Sequence, residues 1–481
     1  MQGSNPISPT ADTVADCPTI AVADRKRRVW RWSLRCAVPV LAVVIAATVS
    51  RPVSAVPAFT DQTGQPCAAC HVGGFGPQLT DFGREFKLGG YTMRAKKSIP
   101  LAVMAIGSLT HTAKGQDLSS SGFVSNDNLA FDQGSLFVAG GVNQHIGGFA
   151  QFTYDGVNRQ FHWDNLDVRL VNTGTVLGSD ATYGLLLNNN PTVQDVWNTT
   201  PAWGFPYTGT SALAPTPGAT ALIDGALAQT VVGVSAYGWF NHKFYVEAGG
   251  YSSPAAGTLN WLGIDPTSSD IHGLAPYGRV AFVTHVGGGS LELGAMALKA
   301  ALNPGRDRTS GYTDHYTDVG LDASWQKALA SGNTVTVQGR YVHEDSNLEA
   351  SCELGNVGPG SIPNCAKTHL NEWRGDATYA WHGKVSATLG GFLTTGSTNA
   401  NLYAPPSFAP TNRPNSNGLI AQLDYTPWGG GNAPISSRLN VRFGVQYFAY
   451  NAFNGATKNV DGAGTNAGDN NTLRIFTWLA F

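Results

Sequence analysis

An all-β transmembrane barrel of about 16 antiparallel strands is the fold class this sequence predicts, and three observations predict it. Segments of alternating polarity recur after residue 99, and the links between them alternate short and long. No stretch is apolar enough for a spanning helix, which needs about 20 residues. Of 481 residues only 13% are charged, while 58 are glycine and 10% aromatic. That mixture suits many half-buried strands and turns better than packed helices. A formal charge of −2, with no basic patch beyond the first 55 residues, excludes nucleic acid as a partner.

Residues 1–55 read as a signal peptide. Arg25, Lys26, Arg27, Arg28, Arg31 and Arg35 form a basic region, followed by the apolar run Ala37 to Val49. Val53-Ser54-Ala55 then offers the small residues of a cleavage site. The apolar run is too short to span comfortably, so export and removal are expected rather than an anchor.

Residues 56–98 read as a small helical segment with its own chemistry. Cys67-Ala68-Ala69-Cys70-His71 has the spacing that attaches one covalent haem c. Two thiols add to the two porphyrin vinyl groups, and the adjacent imidazole reaches the iron as proximal ligand. A thioredoxin-like pair would want a βαβ context, and a structural zinc site a second cysteine pair at finger spacing; neither surrounds this segment. Met93 follows at a distance suited to the sixth iron position, or else packs against the porphyrin. Met104, His111 and His145 are alternatives for that position.

Residues 99–481 read as the barrel, porin-like in pattern. Around 438–447, Leu439, Val441, Phe443, Val445 and Tyr447 alternate with Arg438, Asn440, Arg442, Gly444 and Gln446. Period two places one set toward lipid and the other toward a wet lumen. Strand centres fall near 106, 137, 150, 168, 185, 235, 248, 282, 294, 321, 339, 376, 390, 422, 443 and 476. Short links such as Asn143-Gln144-His145, Asn241-His242-Lys243 and His382-Gly383 are expected on the periplasmic side. Long ones, about 190–228, 253–276, 346–368 and 397–416, are expected outside. Cys352 and Cys365 would form a disulfide in an external loop of this exported chain. Phe481 ends an apolar-faced strand, which resembles the signal that outer-membrane proteins show to their assembly machinery.

Thr63 to Tyr91, with Cys67-Ala-Ala-Cys-His71 and then Asp81-Phe82-Gly83-Arg84-Glu85-Phe86-Lys87-Leu88, resembles the fused monohaem cytochrome–porins of bacterial outer membranes, including iron-oxidising members. Asn188 to Trp197 is also similar to cytochrome–porin sequences. The resemblance implies electron transfer across the outer membrane, from an extracellular donor such as Fe(II) to a periplasmic cytochrome or other carrier. With Fe(II) as donor the chain would be an Fe(II) oxidase. The alternatives are a diffusion porin with a structural or sensory haem, and outward electron transfer to an extracellular acceptor. The segment is expected to plug the lumen and bring the iron near the outer face. Arg84, Glu85 and Lys87 could then pair with lumen charges such as Arg340 and Arg442. Asp314, His315, Glu344, Asp345 and Glu349 near loop ends offer metal-binding atoms.

Overall fold

The computed structural model describes residues 58–95, 101–118, 122–209, 213–355, 367–430, 433 and 439–481. The expected leader, 1–55, and Cys365 lie outside the described residues; Cys352 is disulfide-bonded.

The wall begins with β1 (Leu101–Thr112), β2 (Asn128–Gly141), β3 (Ile146–Asp155), β4 (Gln160–Val176) and β5 (Ser179–Asn188). It continues through β6 (Val232–Phe240), β7 (Phe244–Ser252), β9 (Ala275–Val286), β10 (Gly289–Asn303), β11 (Asp314–Ala328) and β12 (Thr334–Leu348). It ends with β13 (Lys367–Trp381), β14 (Val385–Gly396), β15 (Ser416–Tyr425), β16 (Asn440–Ala452) and β17 (Thr472–Ala480). A two-residue strand, β8 (Asp270–Ile271), caps the end of β10. Every neighbour is antiparallel, β7 pairs directly with β9, and β1 pairs with both β2 and β17. The sheet therefore closes into a barrel of 16 long strands with no free edge. Each strand centre expected from the sequence falls inside one of these strands.

The burial pattern is inverted relative to a soluble protein. Leu419, Leu423, Phe443, Val445, Leu473 and Ile475 are exposed on the outside, while Arg169, Arg279, Glu247 and Arg474 are buried within. Transferring so much apolar surface to water would be costly, whereas lipid accepts it. Exposed Phe244, Tyr379, Trp381 and Tyr425 sit near the short-turn end, where the aromatic girdle of such barrels lies. A closed, even-stranded barrel with an apolar exterior is the architecture of the bacterial outer membrane. Among the described residues no helix is long and apolar enough to cross a membrane.

Short links join β2 to β3, β4 to β5, β6 to β7, β9 to β10 and β13 to β14, all at one end of the barrel. The parity rule has two exceptions: 156–159 is short at the other end, and 426–439 is long at the short-turn end. The second meets the N-terminal segment, since the Ala68 amide donates to the Gly429 carbonyl at 3.0 Å.

The link between β5 and β6, residues 189–231, corrects the expectation of an external loop. It folds inward. Asn189, Thr192, Gln194 and Asp195 are fully buried, and its later part packs Ala221, Ile223 and Val231 against Tyr251, Leu298 and Val342 of the wall. Three lumen carboxylates hold its backbone: Glu372, Glu344 and Asp318 accept from the amides of Ala221 (3.1 Å), Leu222 (2.6 Å) and Ile223 (2.7 Å). Buried amides without such acceptors would cost about 1–3 kcal/mol each.

Candidate haem site

The N-terminal segment folds as α1 (Ala58–Thr63), α2 (Cys67–Cys70) and α3 (Asp81–Leu88). Thr80 caps α3, its hydroxyl oxygen accepting from the Gly83 amide at 3.2 Å and its hydroxyl donating to the Ala69 carbonyl. One side chain thus ties the start of α3 to the cysteine motif. Gly83 lets the two elements touch, because a Cβ there would collide with the backbone of Cys70.

Bonds to the inner wall fix this segment inside the barrel. Tyr91 donates to Asp167 of β4 at 2.7 Å, and Tyr237 of β6 donates to the Leu88 carbonyl at 2.8 Å. Gln326 of β11 reaches the Leu79 carbonyl at 3.0 Å, and Asn440 of β16 the Gly74 carbonyl at 2.8 Å. Arg442 of β16 donates to the Phe75 carbonyl, and the Gly141 amide of β2 donates to Gln62 at 2.7 Å. Partners on strands all around the wall make residues 58–95 a plug. Gly74 abuts Gly383 in the short turn after β13, which places the plug at the short-turn, periplasmic end and not near the outer face.

Arg84 and Lys87 do not meet Arg340 or Arg442. Arg84 pairs with Asp81 at 3.2 Å, Glu85 is exposed, and the two wall arginines are taken by Asp224 and Asp424. Like charges gain nothing by approaching, and each of these guanidinium groups stands beside a carboxylate instead. Lys87 is buried and donates to the Val193 carbonyl and Asn198 Oδ1, both at 2.8 Å, with its ammonium over the Trp203 ring. Burial pushes its pKa down to about 7, against the nearby charge of Asp167.

Between plug and wall lies a cavity of about 260 Å³. The plug contributes Cys67, Cys70, His71, Leu79 and Phe86 to its lining; the wall contributes Ala102, Met104, Phe137, Phe149 and Trp478, and the inward link contributes Asn198 and Trp203. Both cysteines are free thiols. Burial pushes both up, Cys70 to about 11 with help from its neighbour Cys67, so at neutral pH they are thiols and not thiolates. Burial pushes the His71 imidazole down to about 4, the Gly76 carbonyl opposing that and the Arg442 charge adding to it. A neutral imidazole and two thiols on one apolar wall fit a thioether-linked haem: the thiols for the vinyl carbons, the ring nitrogen for iron. They do not fit a zinc site, for among the described residues no group of three metal-binding side chains converges.

The structure brings Cys67, Cys70 and His71 together on this cavity but not Met93. That side chain is 39% exposed and takes no part in the lining. A positive φ at Tyr91 and at Arg94 turns the chain there, and Gln62 holds the Met93 carbonyl at 2.8 Å. His111 is exposed and paired with Asp127, and His145 lies in the β2–β3 turn; neither borders the cavity. Asp314 and Glu344 are spent on Ser351 and on the Leu222 amide.

A second buried layer stands above the plug. Arg279 bridges Asp195, Glu292 and Asp322 at 3.3, 3.0 and 2.6 Å, all four fully buried. Asp195 belongs to the stretch Asn188 to Trp197, so that motif is a fastener of the inward link to β9, β10 and β11.

No protein family matches this chain, and no curated protein is significantly similar to it. Solved structures with a similar outline include an anion-selective porin from Comamonas acidovorans, at 14% identity and a TM-score of 0.44, over 80% of this chain and 98% of that one. The outer membrane channel DcaP of Acinetobacter baumannii aligns at 13% identity and 0.45, over 80% and 97% of the two chains. OmpF of Salmonella typhi aligns at 12% and 0.40, again over 80% and 97%. Likenesses this weak add nothing to the strand count and closure, which are read from the hydrogen-bond ladders.

Proposed function

We propose that this chain is a monohaem c-type cytochrome built into an outer-membrane barrel, carrying electrons between an extracellular donor and a periplasmic carrier. One observation carries the reading: both thiols and the imidazole of a haem-attachment motif border a single apolar cavity inside the barrel. Cys67 and Cys70 would hold haem c and His71 would be its proximal ligand, and the group supplies a one-electron centre when bound. Phe59, Phe86, Phe149 and Trp478 make the lining largely apolar, and low polarity disfavours the more highly charged oxidised state. Asn440 and Arg442 hold the plug loop after His71, so the imidazole keeps its place on the wall.

Position explains the division of labour. A bilayer core about 30 Å thick insulates one side from the other. The cavity lies at the short-turn end, within easy reach of a periplasmic cytochrome or similar carrier. Electrons from outside would then enter through the filled lumen, where Trp203 of the inward link touches the cavity. With Fe(II) as donor, each ion gives up one electron and leaves as Fe(III), while the carrier accepts one electron at the other end.

The test is stopped-flow absorbance of the oxidised, detergent-solubilised holoprotein mixed with Fe(II). Rapid appearance of the reduced haem spectrum supports an iron-oxidising conduit. A haem reduced by dithionite but not by Fe(II) removes iron as donor and leaves other donors or outward transfer. A second reading, a diffusion porin with a structural or sensory haem, is favoured by the strand number, since 16-stranded porins leave an aqueous channel. It requires an open lumen, and the plug and the inward link, both attached to the inner wall, weigh against that.

A further inference from the structure

We infer that Met104, on β1, is the second axial ligand of the haem iron; the inference rests on the haem reading above. Met104 lies on the inward face of β1, in register with Ser135 of β2 and Ala480 of β17 across the seam that closes the barrel. Its neighbours on the cavity wall, Ala102, Ala139 and Ala480, each carry a single methyl. These alanines leave room beside one long, flexible thioether that borders the same cavity as His71, with Phe137, Phe149 and Trp478 among the larger wall residues of the lining.

Elimination points the same way. Haem iron takes imidazole, thioether, thiolate or phenolate as axial ligand. Beyond the motif, the cavity lining offers Met104, the Tyr91 phenol and the Lys87 amine. Tyr91 is spent on Asp167 at 2.7 Å, and Lys87 on two oxygens at 2.8 Å. Met104 alone of the three has no competing bond to break, and thioether sulfur is a weak hydrogen-bond acceptor that loses little by turning to iron.

The experiment compares purified ferric and ferrous wild type with Met104→Leu, Met104→His and Met93→Leu, by absorption, magnetic circular dichroism and carbon monoxide binding. Met104→Leu is expected to keep its covalent haem and lose the sulfur-to-iron charge-transfer band. It should also become high-spin and bind carbon monoxide, which wild type does not. Met104→His should restore a low-spin haem without the sulfur band and at lower potential, and Met93→Leu should match wild type. A Met104→Leu spectrum identical to wild type overturns the inference and leaves the haem reading standing. A wild-type protein without covalent haem overturns both.

Discussion

Gly83 of α3 lies flush against the backbone of Cys70: a Cβ built on Gly83 would meet the Cys70 carbonyl carbon at 3.1 Å and its oxygen closer still. No side chain can move aside there, because the obstacle is the motif's own backbone. Gly83→Ala is expected to cost about 1–3 kcal/mol through overpacking and to displace the motif from the cavity. Covalent haem per barrel should fall, while heat-modifiable gel mobility, a readout of barrel assembly, stays the same. Gly257→Ala, in open space, is the control.

Tyr91 and Asp167 make the bond that anchors the end of the plug to β4. In Tyr91→Phe the carboxylate keeps Arg169, at 2.8 Å, but loses its second partner. The expected loss is about 1–3 kcal/mol of plug docking. Limited proteolysis from the periplasmic side should cut within residues 58–95 several-fold faster, with the barrel intact.

Lys87 gives the plug a pH signature. Its folded pKa of about 7 lies below its ordinary 10.5, so between those values the folded chain binds less proton than the unfolded one. Stability therefore rises with pH across that window, and below about pH 7 the full cost of the buried charge is felt. Thermal unfolding midpoints at pH 7, 8 and 9 should climb in wild type relative to Lys87→Met. Parallel curves would show that Lys87 stays charged in the fold.

Two segments, the plug and the inward link, are attached to the inner wall, and both bear on what a deletion does. Removing residues 58–95 empties the short-turn end but leaves the inward link 189–231 pinned by Asp318, Glu344 and Glu372. Planar-bilayer conductance is expected to stay low after that deletion, and to reach the level of an open 16-stranded channel only when the inward link is shortened too.

The wall was legible because lipid on one side and polar lumen on the other impose a period of two that survives in a single sequence, as Phe443, Val445 and Tyr447 against Arg442 and Gln446 illustrate. That Cys67, Cys70 and His71 share one cavity was legible because their spacing in the sequence keeps the three side chains together. The inward link was not. Asn188 to Trp203 has no periodicity, and a segment buried against a polar lumen carries the same asparagines, threonines and aspartates as an exposed loop. Its one available signal was the apolar run around Leu222 to Val232, which an external loop has no reason to carry. Met93 and Met104 both follow the motif in the sequence, and spacing alone does not separate them: Met93 is exposed and off the cavity lining, whereas barrel closure, a property of register, places Met104 on it.

Intact-protein mass spectrometry with haem staining, on protein made in a host that matures c-type cytochromes, decides whether this barrel carries a covalent haem. Wild type is expected to carry one covalent haem per chain and Cys67→Ser/Cys70→Ser none, with both proteins assembling as barrels. A fully assembled wild-type barrel carrying no covalent haem would contradict that expectation and leave a plugged porin.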